Sequence, residues 1–74
     1  MRYLVIIEQA EGNLSAYVPD LPGCVAVGDT RQELLEAMRE AIEMHLESMR
    51  EAGESIPFPN SDPAWVEVPE VTPK

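Results

Sequence analysis

The stretch from Val18 to Cys24, VPDLPGC, contains two prolines, one glycine, one carboxylate and the chain's single cysteine. Proline fixes the backbone φ angle, and Gly23 permits a left-handed or tight backbone conformation. A carboxylate such as that of Asp20 accepts hydrogen bonds from nearby backbone N–H groups in a turn. We therefore predict a rigid corner between two strands, with Cys24 packed as a small apolar residue. The residues assigned to this corner are Pro19, Asp20, Pro22, Gly23 and Cys24.

A catalytic role for the same corner is the alternative. A nucleophilic cysteine needs a base within hydrogen-bond reach and an electropositive environment that lowers its pKa. The only histidine is His45, and its neighbours in the sequence are acidic. We therefore expect a structural corner rather than an active site.

The segments on either side of the corner have the patterns of β-strands. Tyr3–Ile7 is β-branched and aromatic and is apolar on both faces, which favours a central strand. Gly12 and its neighbours give a turn signal, and Leu14–Val18 then alternates between faces. After the corner, Cys24–Val27 is predicted to be a short third strand that ends at Gly28. We expect the first two strands to form a hairpin.

A long amphipathic helix is predicted after the third strand. Thr30 is a favourable N-cap, and Glu33 three residues later completes the spacing of a capping box. The helix is predicted to run to Ala52, with Gly53 as its left-handed stop. Its apolar residues recur at three- and four-residue spacing and form one stripe. They are Leu34, Leu35, Met38, Ala41, Ile42, Leu46 and Met49.

The sequence after the helix is rich in proline. Ser55–Pro63 is predicted to be an extended linking segment with restricted φ angles. Ala64–Val68 is predicted to be a last short strand, which Pro69 ends. Residues 1–69 then form one α+β domain with the order β-β-β-α-β, in which the helix covers one face of an antiparallel sheet. Residues 70–74 are expected to be a loose tail.

Chain length limits how the fold is stabilised. The core of a chain of 74 residues supplies little folding free energy, so small domains commonly add disulfides, metals or oligomerisation. One cysteine excludes an internal disulfide, and His45 with Cys24 are too few for a four-ligand zinc site. We therefore predict a homo-oligomer, a dimer or a tetramer, without metal or cofactor.

Charge and hydropathy limit the partners. The net charge of −9 favours a basic partner and argues against direct binding to nucleic acid or to an anionic membrane. No apolar stretch approaches the roughly 20 residues that span a bilayer. The N-terminal apolar run is too short for a secretory signal, and a lone cysteine suits a reducing compartment. We expect a cytoplasmic protein.

In this order of elements, several motifs resemble those of the HicB-like antitoxins, the small partners in HicA–HicB toxin–antitoxin pairs. The motifs are PDLPGC (Pro19–Cys24), GDT (Gly28–Thr30), EAIEMHLE (Glu40–Glu47) and GESIPFP (Gly53–Pro59). The resemblance covers roughly residues 1–69, and PDLPGC followed by GDT is its most specific part.

This resemblance implies a reduced ribonuclease H-like fold that binds a small basic toxin of the HicA type. The toxin of such a pair is an mRNA-cleaving ribonuclease, and the antitoxin covers it and blocks its catalytic histidine. Many members carry a further C-terminal DNA-binding module. No basic arm or second helix follows the last predicted strand in this sequence, so we expect no DNA binding.

The residues assigned to a partner or oligomer interface lie in the helix and in the last predicted strand. Two-metal nucleases need carboxylates that converge on one site, whereas the helix carboxylates form a row, so we expect a solvated or docking face. His45 lies near the middle of the apolar stripe and is expected at a helix–sheet or subunit contact rather than in catalysis. Trp65 is a favoured interface anchor, with coverage of the core as the alternative. The assigned residues are Glu36, Glu40, Glu43, His45, Glu47, Trp65, Val66 and Val68.

We therefore expect a non-enzymatic antitoxin. The alternative is an orphan HicB-like module that serves in interactions or ligand sensing and has no toxin partner.

Overall fold

Three strands and one helix follow one another along the chain in the computed structural model, which describes residues 1–71. Strand β1 spans Ile6–Ala10, β2 spans Asn13–Tyr17, β3 spans Val25–Gly28, and helix α1 spans Arg31–Glu51. The α+β class and the predicted order β-β-β-α are thereby confirmed.

The strands form one antiparallel sheet in the order β1-β2-β3. A tight loop joins β1 to β2, since Ala10 pairs with Asn13. Strand β2 is therefore central, and the prediction that the first strand is central was wrong. Strand β1 begins at Ile6 rather than at Tyr3, because pairing with β2 starts at Ile6, opposite Tyr17. Tyr3 and Val5 ahead of it pack against the core.

The core lies between α1 and the face of the sheet that carries Ala16 and Ala26. These small side chains let the helix approach the strands closely. The helix contributes Leu34 and Met38, which are 0% and 1% exposed, and complete burial of such a side chain stabilises the fold by roughly 1.5–3 kcal/mol. Among residues 1–71, the buried apolar residues are Ala16, Val18, Leu21, Cys24, Leu34 and Met38.

The corner predicted from VPDLPGC is closed by its own backbone. The N–H of Val18 donates to the carbonyl of Cys24 at 3.2 Å, and the N–H of Cys24 donates to the carbonyl of Leu21 at 3.1 Å. Leu21 donates in turn to the carbonyl of Val18 at 3.1 Å, and Gly23 has a φ of 84°. The corner reverses the chain between β2 and β3 and adds the fully buried Leu21 to the core.

Both ends of α1 are capped. The Thr30 hydroxyl accepts a hydrogen bond from the backbone N–H of Glu33 at 3.1 Å, which satisfies one of the free N–H groups of the first turn. At the other end, Glu54 donates to the carbonyl of Met49 at 2.9 Å. Gly53 has a left-handed φ of 74° there, so the chain leaves the helix in a defined direction.

The segment from Ala64 to Val68 is not a strand, and the predicted last element of the β-β-β-α-β order is absent from residues 1–71. Its β-branched composition favours an extended backbone, but a strand also needs a partner to pair with. The sheet within that range contains only β1, β2 and β3. The predicted loose tail, residues 70–74, is described as far as residue 71, and its last part lies outside the described residues.

The close approach of β3 to α1 generates a first prediction. A Cβ atom added at Gly28 would lie 2.8 Å from the backbone N and 2.9 Å from the Cα of Leu34. Backbone atoms cannot rotate away as a side chain does, so Gly28→Ala forces the strand and the helix apart. We expect the free energy of unfolding to fall by about 2 kcal/mol, as in overpacked cores, in urea denaturation followed by circular dichroism.

Gly12→Ala is the matched control for this measurement, because an added Cβ atom there meets nothing within 4 Å. Its cost is the strain of an alanine at a φ of +81°, which is about 1 kcal/mol. A Gly28→Ala variant as stable as Gly12→Ala would contradict the close contact.

Candidate functional site

Four carboxylates form an exposed surface on α1 that we call the acidic face: Glu36, Glu40, Glu43 and Glu47. Their spacing of three and four residues places them on one side of the helix. The buried Leu34 and Met38 occupy the opposite side. The structure therefore brings together the four acidic residues that were assigned to an interface.

Two ion pairs partly neutralise the acidic face. Arg39 Nε lies 3.2 Å from Glu43 Oε1, and an Arg50 guanidinium nitrogen lies 3.1 Å from Glu47 Oε2. More than half of each of these four side chains is exposed, and such pairs contribute little because water and salt screen them. The carboxylates therefore remain available to a competing basic partner.

His45 does not belong to the acidic face. Its half-buried ring borders two shallow concavities beside the corner, together with Pro22 on one side and Cys24 on the other. The ring thus lies where the helix meets the corner, at the margin of the core.

Cys24 is buried at 3% exposure. Burial raises the pKa of its thiol, because a buried site disfavours the charged thiolate. The thiolate is the reactive form of cysteine, so this environment suppresses nucleophilic chemistry.

Asp20 holds a distant part of the chain. Its carboxylate accepts the backbone N–H of Asn60 at 3.2 Å and that of Ser61 at 3.0 Å. The Ser61 hydroxyl donates to its other oxygen at 2.9 Å. Asp20 was predicted to accept hydrogen bonds from backbone N–H groups within the turn. In the structure, three backbone hydrogen bonds already close this corner. Its observed partners lie in residues 54–61, which we call the connector.

A second hydrogen bond fixes the connector near its middle. The Tyr3 hydroxyl donates to the carbonyl of Pro57 at 2.6 Å. Together, Tyr3 and Asp20 hold the connector against the N-terminal segment and the corner. The last of these anchors along the chain is Ser61.

Beyond Ser61, the chain leaves the folded body as a segment that we call the arm, residues 62–71. Trp65 is 97% exposed, Val66 is 82% exposed and Val68 is 74% exposed. Trp65 therefore does not cover the core, which removes that alternative. The three assigned residues of the arm lie together in sequence and are freely accessible.

A groove between the N-terminal segment and α1 escaped the sequence analysis. Its walls include Tyr3, Val5, Leu35, Ile42 and Leu46, and Arg2 and Arg39 lie among them. Its volume is about 400 Å³. One signal was present in the sequence, because Leu35, Arg39 and Ile42 recur at three- and four-residue spacing and share one side of the helix.

Residues 1–71 show neither a metal centre nor a membrane span. Within that range, no three or more His, Cys, Asp or Glu side chains gather closely enough to hold a metal ion. The helix in the same range is not long and apolar enough to cross a membrane.

The Asp20 contacts predict a local effect of mutation. Asp20→Ala removes three hydrogen bonds to the connector. A hydrogen bond to a charged group contributes about 1.5–3 kcal/mol, so we expect the amide protons of Asn60 and Ser61 to exchange with solvent at least about tenfold faster. Hydrogen exchange followed by NMR measures this. Asp62→Ala, a change at a neighbouring exposed carboxylate, is the control. Unchanged exchange in Asp20→Ala would refute the anchoring role.

The buried thiol predicts slow chemistry at Cys24. In mildly alkaline buffer, the raised pKa lowers the thiolate fraction of Cys24, and burial blocks access to the thiol. We therefore expect native protein to react with a disulfide reagent at least about a hundredfold more slowly than urea-unfolded protein. The same chain in denaturing urea is the control. Equal rates in the two states would show that the thiol is accessible in the folded protein.

Comparison with known proteins identifies the family. The model of the family described as "HicB_like antitoxin of bacterial toxin-antitoxin system" matches residues 3–73. An uncharacterized 14.9 kDa protein from the rep-hol intergenic region of Haemophilus phage HP1 is 37% identical over 70 residues, which are 95% of this chain and 53% of that protein. Antitoxin HicB 1 of Photorhabdus laumondii subsp. laumondii is 40% identical over 60 residues, which are 80% of this chain and 39% of that protein.

A solved structure agrees with these relatives. One chain of the structure described as "HicA3 and HicB3 toxin-antitoxin complex" matches with a TM-score of 0.72 and 30% sequence identity, over 82% of this chain and 71% of that chain. This chain spans about half the length of the phage relative (53%) and less of antitoxin HicB 1 (39%). The resemblance inferred from PDLPGC and GDT is confirmed, and the chain belongs to the HicB-like antitoxin family.

Proposed function

We propose that this chain is an antitoxin that binds and neutralises a small basic toxin of the HicA type. The observation that carries the proposal is the acidic face, a row of exposed carboxylates on the side of α1 that the fold leaves free. Support also comes from a relative named antitoxin HicB 1 and from a structural neighbour that is part of a toxin–antitoxin complex.

Electrostatics favours this partner. A ribonuclease that holds RNA needs a basic surface, because the phosphate backbone selects for Lys and Arg. A row of carboxylates complements such a surface, speeds the encounter and competes with RNA for the same site. The net charge of −9 adds a long-range attraction to the local contact.

Neutralisation by masking needs no catalysis, and we propose that this chain is not an enzyme. The acidic face lies on the outside of a helix, where its side chains diverge into solvent instead of converging on a substrate. We further propose that the chain acts in the cytoplasm without a cofactor. Its negative charge disfavours direct binding to nucleic acid.

We also propose that the chain self-associates. Among residues 1–71, the buried apolar set has six members, which is a small core for a domain that stands alone. Large apolar side chains remain exposed on the arm. Association between copies would cover part of this apolar surface.

The test is binding and neutralisation of a small basic toxin of the HicA type that is co-expressed with this chain, with Glu36→Lys/Glu40→Lys as the variant. We expect wild-type protein to form a complex that suppresses mRNA cleavage. The double variant should associate at least about tenfold more slowly at low salt, because charge reversal removes the steering interaction. Stopped-flow association at two salt concentrations measures this.

Glu8→Lys/Glu11→Lys is the matched control, because it makes the same change in net charge at exposed positions of β1 and its loop. If both double variants slow association equally, net charge rather than the acidic face governs binding. If wild-type protein neither binds the toxin nor suppresses cleavage, the chain is an orphan module and the proposal fails.

A further inference from the structure

The arm extends away from the folded body. A compact chain of this length has a radius of gyration of about 11 Å, whereas the observed value is 15.2 Å and the longest dimension is 50 Å. Four large apolar side chains of the arm are at least 74% exposed: Trp65, Val66, Val68 and Val71. An apolar segment of this kind is typical of a surface that meets a partner.

The groove adjoins a strand edge that has no partner among residues 1–71. The N-terminal segment Met1–Val5 forms one of its walls and continues directly into β1, which lies at the edge of the sheet. An edge strand presents free backbone N–H and carbonyl groups, to which an extended segment adds as a further strand. The arm segment Ala64–Val68 has strand-like composition and pairs with no strand among residues 1–71.

Charge distinguishes the arm and the groove from each other. The arm carries three carboxylates, Asp62, Glu67 and Glu70, and has no Lys or Arg. The groove carries Arg2, Arg39 and Glu43, the carboxylate that pairs with Arg39, so its side chains have one more positive than negative charge. The arm is therefore an acidic apolar segment, and the groove is an apolar site with arginines that are suited to acidic groups and to the face of a tryptophan ring.

Length and stiffness permit the arm to reach a neighbouring molecule. From Ser61, ten extended residues at roughly 3.3 Å each span about 33 Å. The two shorter dimensions of the molecule are 27 and 20 Å. Pro63 and Pro69 restrict the backbone of the arm, which lowers the entropy lost when it docks.

A second copy of this chain fits the groove better than a basic toxin does. A basic toxin would bring like charge to a groove that holds two arginines and one carboxylate, whereas a second copy brings the acidic arm. The arm does not occupy the groove of its own molecule, because Trp65 is 97% exposed. When two copies exchange arms, the same contact covers the arm and the groove of each copy. Each tryptophan alone buries about 150–250 Å².

We propose that the arm of one copy docks into the groove of a second copy, and that the reciprocal contact forms an arm-exchanged dimer. The arm adds to the edge of β1, and Trp65 inserts between the N-terminal segment and α1. This inference rests on the self-association proposed above and does not depend on the identity of the toxin. Glu36, Glu40 and Glu47 of the acidic face do not line the groove and stay free in the dimer.

Trp65 is the only tryptophan of the chain, so its fluorescence reports directly on the contact. Wild-type protein is diluted while light scattering gives its mass and the emission maximum of Trp65 is recorded. We expect a dimer with blue-shifted emission at high concentration. On dilution, the mass should halve and the emission should shift to the red over the same concentration range.

Two variants remove the two halves of the contact. Trp65→Ala removes the anchor of the arm, and Leu35→Glu places a carboxylate in the groove at a position that is 39% exposed. We expect each to raise the dimer dissociation constant at least about a hundredfold, the effect of removing a dominant interface residue. Circular dichroism verifies that both variants fold. The matched controls, Phe58→Ala outside the arm and Gln32→Glu one helical turn from Leu35, should dimerise as wild type does.

Mixing the two variants tests the exchange itself. The Trp65→Ala chain keeps an intact groove, and the Leu35→Glu chain keeps an intact arm, so a mixture restores one of the two contacts. Emission from the Leu35→Glu chain should therefore shift to the blue when the Trp65→Ala chain is added, and only then. Emission that stays unchanged in the mixture would overturn the proposal.

The remaining outcomes separate this proposal from the others. Wild-type protein that is monomeric at every concentration overturns both self-association and arm exchange. A dimer that both variants leave intact overturns arm exchange alone. A Trp65→Ala variant that still dimerises but no longer neutralises the toxin assigns the arm to the toxin, and this outcome also overturns arm exchange.

Discussion

The corner from Val18 to Cys24 constrains the rest of the structure. Its backbone hydrogen bonds direct two adjacent side chains to different tasks, since Leu21 enters the core while Asp20 anchors the connector. Through Leu21 the corner packs against α1, and through Asp20 it determines the path of the chain after α1. One short segment therefore contacts the sheet, the helix and the end of the connector, where the arm begins. Its prolines reduce the entropy lost on folding.

Local patterns predicted the fold up to the end of the helix. The alternation of apolar residues in the strands, the Thr30 cap and the apolar stripe of α1 all depend on residues that are close together in the chain. The sequence therefore shows them directly. The errors concern partners that are distant in sequence. Apolar faces on Tyr3–Ile7 did not reveal that β1 is an edge strand, and the composition of Ala64–Val68 did not reveal that the segment is unpaired. The partner of Asp20, Ser61, is 41 residues away and left no local signal.

The acidic face could be predicted from the sequence and the groove could not, because only the acidic face depends on residues that lie near one another in the chain. The acidic face follows directly from helical spacing, and its exposure follows from the position of the apolar stripe. The groove needs the N-terminal segment to lie beside α1, which no spacing within either element specifies. Charge differs between these surfaces, because carboxylates occupy the free side of the helix while Arg2 and Arg39 border the groove, and Glu43 lies where the two surfaces meet. A small acidic protein thereby presents two surfaces with opposite preferences.

The connector anchors end at Ser61, so the arm contributes almost nothing to the stability of the folded body. Substitutions in the arm are therefore free of the constraint that limits change in a core, where most replacements cost folding free energy. Recognition between subunits could diverge there quickly while the domain that carries the acidic face stays the same. In a cell that holds two such proteins, divergence of this kind would keep their subunits from mixing.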